Sequence, residues 1–397
     1  MNAAAEPTGS VRVSKRRTAR LRAGHLWVYD SDIEEISGEP ADGDCVEVRD
    51  GHGRYVGRGY YNSRSQIQVR LMTRGREGLG ADLFRRLIEE AVARRAEYVG
   101  DAEAYRVVHA SGDLLPGLIV DRYRDVLVVQ FTTLGIDLRK EMICDILEDR
   151  LSPTCIYERS DQQSRTLEGL PPRVGALRGA EPGPFWVTEH GLRFLVDVKG
   201  GKKTGLYLDQ RENREVVGRL ARCGRVLDCF TFRGGFALTS AKAGASEVIG
   251  VDSSEEDIAT ARGNARENDL ADKCRFVTAN AFDYLRQCEE DAEEFDLVVL
   301  DPPPFAKRKV NLGKAVRAYK EINLRAIKIA RSGGHIVTFT CSHHLRPALF
   351  LRVVAEASAD ARRHVHLMEE RTQSRDHPIL LTMPESRYLT CLVLRVL

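Results

Sequence analysis

The chain has 397 residues, of which 43% are hydrophobic and 30% charged, and its formal net charge is +2. This length predicts two or three domains, and the composition is that of a globular protein. No run of about 18 apolar residues is present and the opening MNAAAEPTGS lacks the order of a signal peptide, so the sequence argues against a membrane protein and predicts a cytoplasmic location.

Nine cysteines are scattered from Cys45 to Cys391 without a CxxC pair. In a chain with no secretory signal, this pattern predicts reduced thiols rather than a disulfide framework. We expect most of these cysteines to be small core residues. A cysteine with a chemical role must therefore be identified by its surroundings.

Residues 10–76 alternate short β-rich segments with glycine turns, as in DCVEVRD and RYVGRGYYN, which predicts a small β domain. The same region contains RVSKRRTARLR, from Arg12 to Arg22, with six cations and no acid. Such a cluster would attract a phosphate-rich partner through sequence-independent, salt-sensitive contacts. A solvated basic arm without a partner explains the cluster equally well.

Residues 77–186 predict a middle α+β domain. A helical pattern in ADLFRRLIEEAVARRAEYV precedes the strand-like segments YRVVHA, LPGLIVDRY and VLVVQFTT, a second helix from about Leu138 to Arg150, and the strand TCIYERS. The Pro/Gly-rich stretch LPPRVGALRGAEPGPFW then indicates a domain boundary.

Strands and helices alternate strictly over residues 187–397. Strands are predicted at RVLDCF, EVIGVD, CRFVTA, FDLVVLD and GHIVTFT, with helices such as SEEDIATARGNARENDL between them, and the strands HVHLMEE and YLTCLVLRVL close the chain. This order predicts an α/β domain with a doubly wound, mostly parallel sheet. Ligands of such sheets bind beyond the carboxyl ends of the strands.

The first three of these strands end in groups suited to a nucleoside ligand. Asp228 precedes a turn around Gly234 where a ligand could approach the backbone and the following helix offers free N–H groups. Asp252 ends the second strand and could accept hydrogen bonds from both ribose hydroxyls, although an N-cap is the alternative, above all at Ser253. Asn280 ends the third strand, at a position suited to an adenine edge.

The fourth strand ends in DPPPF at Asp301, and the fifth ends in TCS at Cys341. Prolines directly after a strand fix a rigid turn and leave backbone carbonyls unpaired, which suits gripping a planar base. Cys341 follows the neighbouring strand and is a core residue, a metal ligand with His343 and His344, or a nucleophile. The absence of a second pair of residues at zinc-ligand spacing disfavours the metal site.

Together, DCFTFRGGF, VD, DPPPF and TCS resemble the motifs of class I S-adenosylmethionine-dependent methyltransferases, and more narrowly of the PUA-domain 23S ribosomal RNA 5-methylcytosine methyltransferases. LPGLIVDRY, IYERSD and GGKKTGLYLDQRENR resemble the same family, so the resemblance covers nearly the whole chain. Leu114, Asn280 and Arg233 depart from the residues usual in that family.

The resemblance implies three domains: a small β-barrel PUA-like domain over residues 10–76, a middle α+β domain over 77–186, and a Rossmann-like methyltransferase domain with a seven-stranded sheet over 187–397. It implies S-adenosylmethionine as cofactor and 23S ribosomal RNA as partner, with no metal, and it is compatible with a homodimer. Cys341 would be the nucleophile and Asp301 would stabilise the charge on the base.

The remaining candidate residues also follow from the resemblance. The candidate cofactor contacts are Asp228, Phe230, Gly234, Asp252, Ser253, Asn280, Ala281, Asp301, Pro302 and Gln210. The candidate RNA contacts are Lys15, Arg16, Arg17, Arg20 and Arg211. Two other functions stay open: an RNA N-methyltransferase acting on an exocyclic amine, for which Cys341 is incidental, and an RNA-binding ribosome-assembly factor with an inactive methyltransferase fold.

Overall fold

The computed structural model describes residues 6–201, 204–305, 309–342 and 344–397. The chain divides into two compact units. The first comprises the residues up to Thr188 together with Val196–Leu208 and Arg375–Ser386, and the second comprises Glu189–Leu195, Asp209–Ser374 and Arg387–Leu397. Each unit is therefore built from segments that are far apart in the sequence.

The first part of the first unit is a six-stranded sheet with the strand order β2-β6-β5-β4-β1-β3. Its strands are β1 (Gly9–Val13), β2 (Trp27–Val28), β3 (Ile33–Gly38), β4 (Cys45–Arg49), β5 (Tyr55–Tyr61) and β6 (Val69–Thr73). The strands β1 and β4 are parallel, and the other neighbours in this sheet are antiparallel. The predicted β domain is therefore present, with buried valines such as Val11 and Val46 in its core.

A helix, α1 (Lys15–Arg22), occupies most of the basic cluster and was not predicted. Its sequence KRRTARLR has one buried residue, Leu21, which belongs to the core of the six-stranded sheet. A helix that buries a single apolar side chain has no apolar stripe for sequence reading to detect. The helix α1 was therefore not predicted, because its packing depends on the tertiary contact of one residue, Leu21.

The second part of the first unit is a five-stranded sheet with the order β11-β10-β9-β8-β7. Its elements are the strands β7 (Ala104–His109), β8 (Leu118–Tyr123), β9 (Val126–Phe131), β10 (Cys155–Ser160) and β11 (Arg173–Gly179) and the helices α2 (Ala81–Ala96), α3 (Leu134–Asp137) and α4 (Lys140–Leu151). Apolar side chains of α2, α4 and the strands form one core, as the predicted α+β segment requires.

Part of the Pro/Gly-rich stretch forms a strand, β11, that was not predicted. This stretch contributes seven residues that pair antiparallel with β10, from Arg173 opposite Ser160 to Gly179 opposite Cys155. Most side chains of β11 are exposed or half-buried. Backbone pairing at the edge of a sheet leaves little apolar alternation in the sequence, which is why the strand was missed.

A cluster of buried charges lies inside the first unit. Arg95 is 1% exposed and binds both carboxylate oxygens of Asp113 at 2.6 Å. Asp121 is fully buried, binds the guanidinium of Arg106 at 2.7 and 2.9 Å, and accepts a hydrogen bond from Thr204 at 2.7 Å. Buried charges are tolerated only when they are paired in this way.

The second unit contains the seven-stranded sheet, in the order β16-β15-β14-β17-β18-β20-β19. Its strands are β14 (Arg225–Cys229), β15 (Glu247–Asp252), β16 (Cys274–Thr278), β17 (Phe295–Leu300), β18 (Ala330–Thr340), β19 (Val365–Arg371) and β20 (Thr390–Val396). Two shorter strands, β12 (Phe185–Glu189) and β13 (Leu192–Val196), precede them in the chain. The helices are α5 (Arg211–Leu220), α6 (Gly235–Lys242), α7 (Glu255–Glu267), α8 (Ala281–Glu290), α9 (Leu312–Ile329) and α10 (Pro347–Ala361).

The predicted doubly wound sheet is confirmed. The strands β14 to β18 are parallel to their neighbours, and β20 pairs antiparallel with both β18 and β19. The central strands β14 and β17 are almost entirely buried, which explains the apolar runs Val226–Leu227 and Leu297–Leu300 within them. None of the helices in the described part of the chain is long and apolar enough to span a bilayer.

Candidate active site

The predicted site residues of the second unit lie along the carboxyl edge of the parallel strands. The strand β14 lies between β15 and β17, and β18 is the next strand after β17. Cys229 is opposite Leu300, and Leu300 is opposite Thr338, so β14 and β17 end level while β18 continues to Thr340. Asp301 and Cys341 therefore leave the sheet from adjacent strands at the same edge.

The turn after β14 is held in an unusual backbone conformation. Phe230, Phe232 and Gly234 have positive φ values of 65°, 52° and 85°. Positive φ is costly for phenylalanine and is tolerated by glycine, so this turn is strained at two positions. At Gly234 an added Cβ would lie 3.2 Å from the ring of Phe276, so a side chain there would also be crowded.

Asp228 is fully buried below this turn. Its Oδ2 accepts hydrogen bonds from the Thr231 hydroxyl at 2.5 Å and from the Ala237 backbone N–H at 3.0 Å. Its Oδ1 is buried without a hydrogen-bond partner in the described part of the chain. Burial raises the pKa of Asp228 to about 7, against the lowering effect of those two hydrogen bonds.

Asp252 binds the same turn. Its two carboxylate oxygens accept hydrogen bonds from the backbone N–H groups of Phe232 at 2.9 Å and Ser254 at 3.0 Å. The N-cap of α7 is Ser254, whose side chain accepts a hydrogen bond from Asp257, and Ser253 is exposed. Asp252 thus ties the turn after β14 to the end of β15, and the N-cap alternative applies to neither Asp252 nor Ser253.

Asn280 is the N-cap of α8. Its Oδ1 accepts a hydrogen bond from the backbone N–H of Phe282 at 2.9 Å, and its side chain is exposed, whereas Ala281 is buried. Asparagine and aspartate cap a helix equally well, so this capping role is met by either residue. Contact with an adenine edge stays a prediction for both residues.

Asp301 is one end of a chain of polar side chains. The amide nitrogen of Gln210 donates to Asp301 Oδ2 at 3.0 Å, and its amide oxygen accepts from Asn213 at 2.8 Å. Arg371 in turn donates to Asn213 Oδ1 at 3.0 Å. These bonds fix the amide orientation of Gln210, so that its N–H group points at the carboxylate. Asn213 and Arg371 were not predicted, since only the folded chain brings them next to Gln210.

Aromatic rings cluster beside the turn that follows Asp301. Pro302, the first residue of this turn, is buried. The rings of Phe230 and Phe282 both lie against Phe305, with centroid distances of 6.3 and 5.6 Å. These three residues follow three different strands of the sheet. They give the carboxyl edge an apolar surface next to its acids, as a site for an aromatic base requires.

Cys341 is half-buried, between the buried residues Thr340 and Ser342. His344 is exposed, and His343 lies outside the described residues. The described part of the chain contains no group of three or more histidine, cysteine, aspartate or glutamate side chains that could hold a metal ion.

The candidate RNA contacts of the first unit are on α1. Lys15, Arg16 and Arg17 are exposed, and Arg20 is half-buried. Arg17 and Arg20 form ion pairs with the buried Asp32, whereas Lys15 and Arg16 form no ion pair with any described residue. The basic cluster therefore contains both cations with a structural role and cations that face solvent.

Arg211, the fifth candidate RNA contact, begins α5 in the second unit. It is only 3% exposed. A contact between Arg211 and RNA, which stays a prediction, would therefore require a base that enters the site rather than a phosphate at the surface.

Two family models match the chain: a PUA-like domain over residues 11–74 and an S-adenosylmethionine-dependent methyltransferase over residues 173–381. The ribosomal RNA large subunit methyltransferase I of Tolumonas auensis is 40% identical over 395 residues, which cover 98% of this chain and 99% of the relative. The enzyme of the same name from Shewanella amazonensis is 41% identical over 391 residues, with 97% and 99% covered. The chain belongs to the ribosomal RNA large subunit methyltransferase I family.

Solved structures agree with this methyltransferase fold. A SAM-dependent methyltransferase from Streptococcus mutans matches with a TM-score of 0.84, and a methyltransferase solved in complex with SAH matches with 0.85. Each is 19% identical and covers 97% of this chain and 99% of its own. At that identity the match concerns the fold alone.

The methyltransferase uses S-adenosylmethionine, and the carboxyl edge of its sheet fits that cofactor. The cofactor carries an ammonium group, a ribose and an adenine. The buried Oδ1 of Asp228 is an acceptor without a partner in the described part of the chain, and the ammonium group of the cofactor is a donor that would satisfy it. The strained turn from Phe230 to Gly234 and the rings near Phe282 complete a polar and apolar lining.

Proposed function

We propose that this methyltransferase forms 5-methylcytosine in 23S ribosomal RNA, with Cys341 as the nucleophile that adds to carbon 6 of the base. The ribosomal RNA substrate is supported by the names of the relatives that match the whole chain. The observation that carries the chemistry is a half-buried thiol directly after β18, the strand next to the one that leads into Asp301.

The other cysteines are less suited to this role. Cys229 also ends a strand at the carboxyl edge, but it is fully buried and burial raises its thiol pKa well above the ordinary value. Cys391 is fully buried as well, and burial again raises its pKa. A nucleophilic cysteine must form a thiolate and must reach its substrate. Cys341 alone among the cysteines at this edge of the described sheet is more than marginally exposed.

A thiolate is needed because carbon 5 of cytosine is a weak nucleophile. Addition of the Cys341 thiolate forms a sulfur–carbon 6 bond and shifts the electrons of the carbon 5–carbon 6 double bond, so that carbon 5 becomes the nucleophilic end of an enamine. When bound, S-adenosylmethionine would supply an electrophilic methyl group to that carbon and would leave as the thioether S-adenosylhomocysteine. Loss of the carbon 5 proton to a base then restores the double bond and breaks the sulfur–carbon bond, which returns the thiolate of Cys341.

Asp301 would bind the base at ring nitrogen 3 or the exocyclic amine, where negative charge develops as the thiolate adds. The hydrogen bond from Gln210 to Asp301 Oδ2 holds the carboxyl group in one orientation before the base arrives. Groups that are already oriented toward a developing charge lose little energy to reorganisation. Gln210 is therefore proposed as the residue that orients Asp301.

Replacing Asp301 with asparagine is expected to lower kcat by about 10²- to 10³-fold, because the amide has the same shape but cannot share a proton with the base. The measurement is methyl transfer to 23S ribosomal RNA at saturating cofactor and RNA. Asp296→Asn is the matched control, since Asp296 lies at the other end of β17 and contacts Arg225 and Arg331. Equal kcat values for both variants would exclude a role for Asp301 in the reaction.

Asp228 is proposed to bind the ammonium group of the cofactor. Because the pKa of Asp228 is raised, the folded chain without cofactor keeps a proton on this carboxyl group that the unfolded chain loses. The free energy of unfolding therefore decreases as the pH rises from the ordinary carboxyl pKa to about 7. A bound cation favours the ionised form. Cofactor affinity is therefore expected to rise from about pH 6 to a maximum between about pH 7 and pH 8, and to fall at higher pH, where an α-ammonium group loses its proton.

Calorimetric titration of the wild-type chain and the Asp228→Asn variant tests this pH dependence. The variant is expected to bind more weakly and with little change across the same pH range, since it has no carboxyl group to ionise. A wild-type affinity that does not change with pH would contradict the proposed ion pair.

The exposed cations of α1 are proposed to bind RNA phosphates. Replacing both Lys15 and Arg16 with alanine is expected to raise the KM for RNA. It is also expected to reduce the slope of the logarithm of the binding constant against the logarithm of the salt concentration by about one unit for each lost contact. Arg12→Ala is the control, because Arg12 is already paired with Glu34 and Glu35. The proposal fails if both variants bind RNA alike at every salt concentration.

We also propose the division into domains over residues 10–76, 77–186 and 187–397 and a cytoplasmic site of action, where ribosomal RNA is available.

Bisulfite sequencing of 23S ribosomal RNA from cells with and without the gene tests the function. One cytosine that resists bisulfite conversion in cells with the gene is expected to be converted in cells without it. A methylated exocyclic amine would instead identify an N-methyltransferase, and the absence of any change in the RNA would indicate an assembly factor.

A further inference from the structure

Three hydroxyl groups form a closed ring of hydrogen bonds around the backbone of Cys341. The backbone N–H of Ser342 donates to Thr340 Oγ1 at 3.2 Å, and Thr340 Oγ1 donates to the Tyr319 hydroxyl at 2.9 Å. The Tyr319 oxygen lies 3.1 Å from Ser342 Oγ. The Tyr319 oxygen accepts the proton of Thr340, and either Tyr319 or Ser342 donates the hydrogen bond that closes the ring.

The ring is buried, and the thiol is not. Tyr319, Thr340 and Ser342 are 0%, 2% and 3% exposed, whereas Cys341 is half-buried. Successive side chains of an extended chain point in opposite directions. The residues before and after Cys341 therefore bind inward to α9, and the thiol is left on the more open side.

Tyr319 also contacts the turn that follows Asp301. Its ring lies 4.7 Å from that of Phe305, centroid to centroid. The opposite neighbour in the core is Phe350, at 5.5 Å. One side chain on α9 thus binds the segments that carry both proposed catalytic residues.

Granting the proposed function, we propose that Tyr319 is a positioning residue, which holds the Cys341 thiol in a fixed place relative to the Asp301 turn. A buried hydroxyl costs free energy unless it is hydrogen-bonded, so three of them are retained in a core only where their bonds fix a particular arrangement. Phenylalanine would fill the same space between Phe305 and Phe350 without these bonds. The hydroxyl, rather than the ring, therefore carries the proposed role.

Tyr319 is not suited to remove the carbon 5 proton itself. Burial raises its pKa to about 12, and the nearby Cys341 adds to this effect. The phenol therefore stays protonated at the pH at which the thiolate forms. Its full burial also keeps it away from the substrate.

The test compares Tyr319→Phe with wild type at saturating cofactor and RNA. We expect kcat to fall by about 10-fold or more, because small displacements of a reacting group are costly, while the cofactor Kd and the KM for RNA stay unchanged. Tyr284→Phe is the matched control: Tyr284 is on α8, and its hydroxyl accepts a hydrogen bond from Arg275 at 3.1 Å. This control is expected to keep the wild-type kcat.

A second pair of variants addresses the ring without altering the aromatic core. Thr340→Val removes one hydroxyl and is expected to lower kcat as Tyr319→Phe does, whereas Thr340→Ser keeps the hydroxyl and is expected to restore most of the activity. This pair decides the question if Tyr319→Phe does not fold. Wild-type kcat in Thr340→Val and in any folded Tyr319→Phe protein would overturn the positioning role.

A parallel assay of Cys341→Ala separates two outcomes: that Tyr319 does not position the thiol, and that the proposed function itself is wrong. If Cys341→Ala is inactive and the ring variants are fully active, the thiol chemistry holds and Tyr319 is merely a core residue. If Cys341→Ala is active, the covalent mechanism itself is wrong, whatever the ring variants do.

Discussion

Methyl transfer to 23S ribosomal RNA is expected to fall by at least about 10⁴-fold when Cys341 is replaced with alanine, as in other enzymes that lose their nucleophile. Without the thiol, carbon 5 of cytosine is not activated, and no other described cysteine at this edge is exposed enough to replace it. The measurement is transfer of a labelled methyl group from S-adenosylmethionine, with cofactor binding measured separately by calorimetry.

Cofactor affinity is expected to be unchanged in Cys341→Ala, which separates a chemical defect from a folding defect. Cys223→Ser serves as the control, because Cys223 is exposed and precedes β14 at the amino end of the strand. An N-methyltransferase would keep most of its activity without Cys341, since an exocyclic amine needs no covalent activation. Retained activity in this variant would therefore reject the covalent mechanism.

The second large effect concerns stability. Replacing Asp113 with alanine is expected to lower the free energy of unfolding by about 3–5 kcal/mol, because it leaves the charge of a buried arginine without its partner. Arg95 is 1% exposed and binds both oxygens of Asp113, which also accepts hydrogen bonds from Arg94 at 2.9 Å and from the backbone N–H of His109 at 2.6 Å. Urea denaturation of the full chain measures the change.

Asp149→Ala is the matched control for Asp113. Asp149 also pairs with an arginine of α2, Arg85 at 3.1 Å, but both side chains of this pair are exposed. Exposed ion pairs contribute little, so this control is expected to unfold at nearly the same urea concentration as wild type. If the free energy of unfolding falls by the same small amount in both variants, the cost expected for an unpaired buried charge at Arg95 is absent and the prediction is wrong.

The fold of the second unit was predictable because its strands are buried on both faces. The segments EVIGVD and FDLVVLD each contain a run of four apolar or glycine residues that ends in an acid, and each segment matches a strand to within one residue. A parallel sheet then places all such strand ends on one edge. The closeness of Asp228, Asp252, Asp301 and Cys341 followed from topology alone, without any knowledge of side-chain contacts.

The sequence could not predict what depends on contacts between distant residues. Tyr319 is one of several apolar or aromatic positions along α9, and nothing in KAVRAYKEIN distinguishes its hydroxyl from that of a surface tyrosine. Gln210 was proposed from the family resemblance, but its bond to Asp301 and its partner Asn213 are tertiary features. The helix α1 and the strand β11 were missed for a related reason: neither has an apolar pattern of its own.

The proposed mechanism requires a covalent bond between Cys341 and carbon 6 of a cytosine. RNA in which the target cytosine carries fluorine at carbon 5 tests it most directly, because the fluorine cannot be removed as a proton is and the adduct cannot break down. With S-adenosylmethionine present, we predict a protein–RNA complex that survives denaturation, with the RNA attached to the peptide that contains Cys341. Methyl transfer to ordinary RNA without any trapped complex, or a complex through another cysteine, would contradict the mechanism.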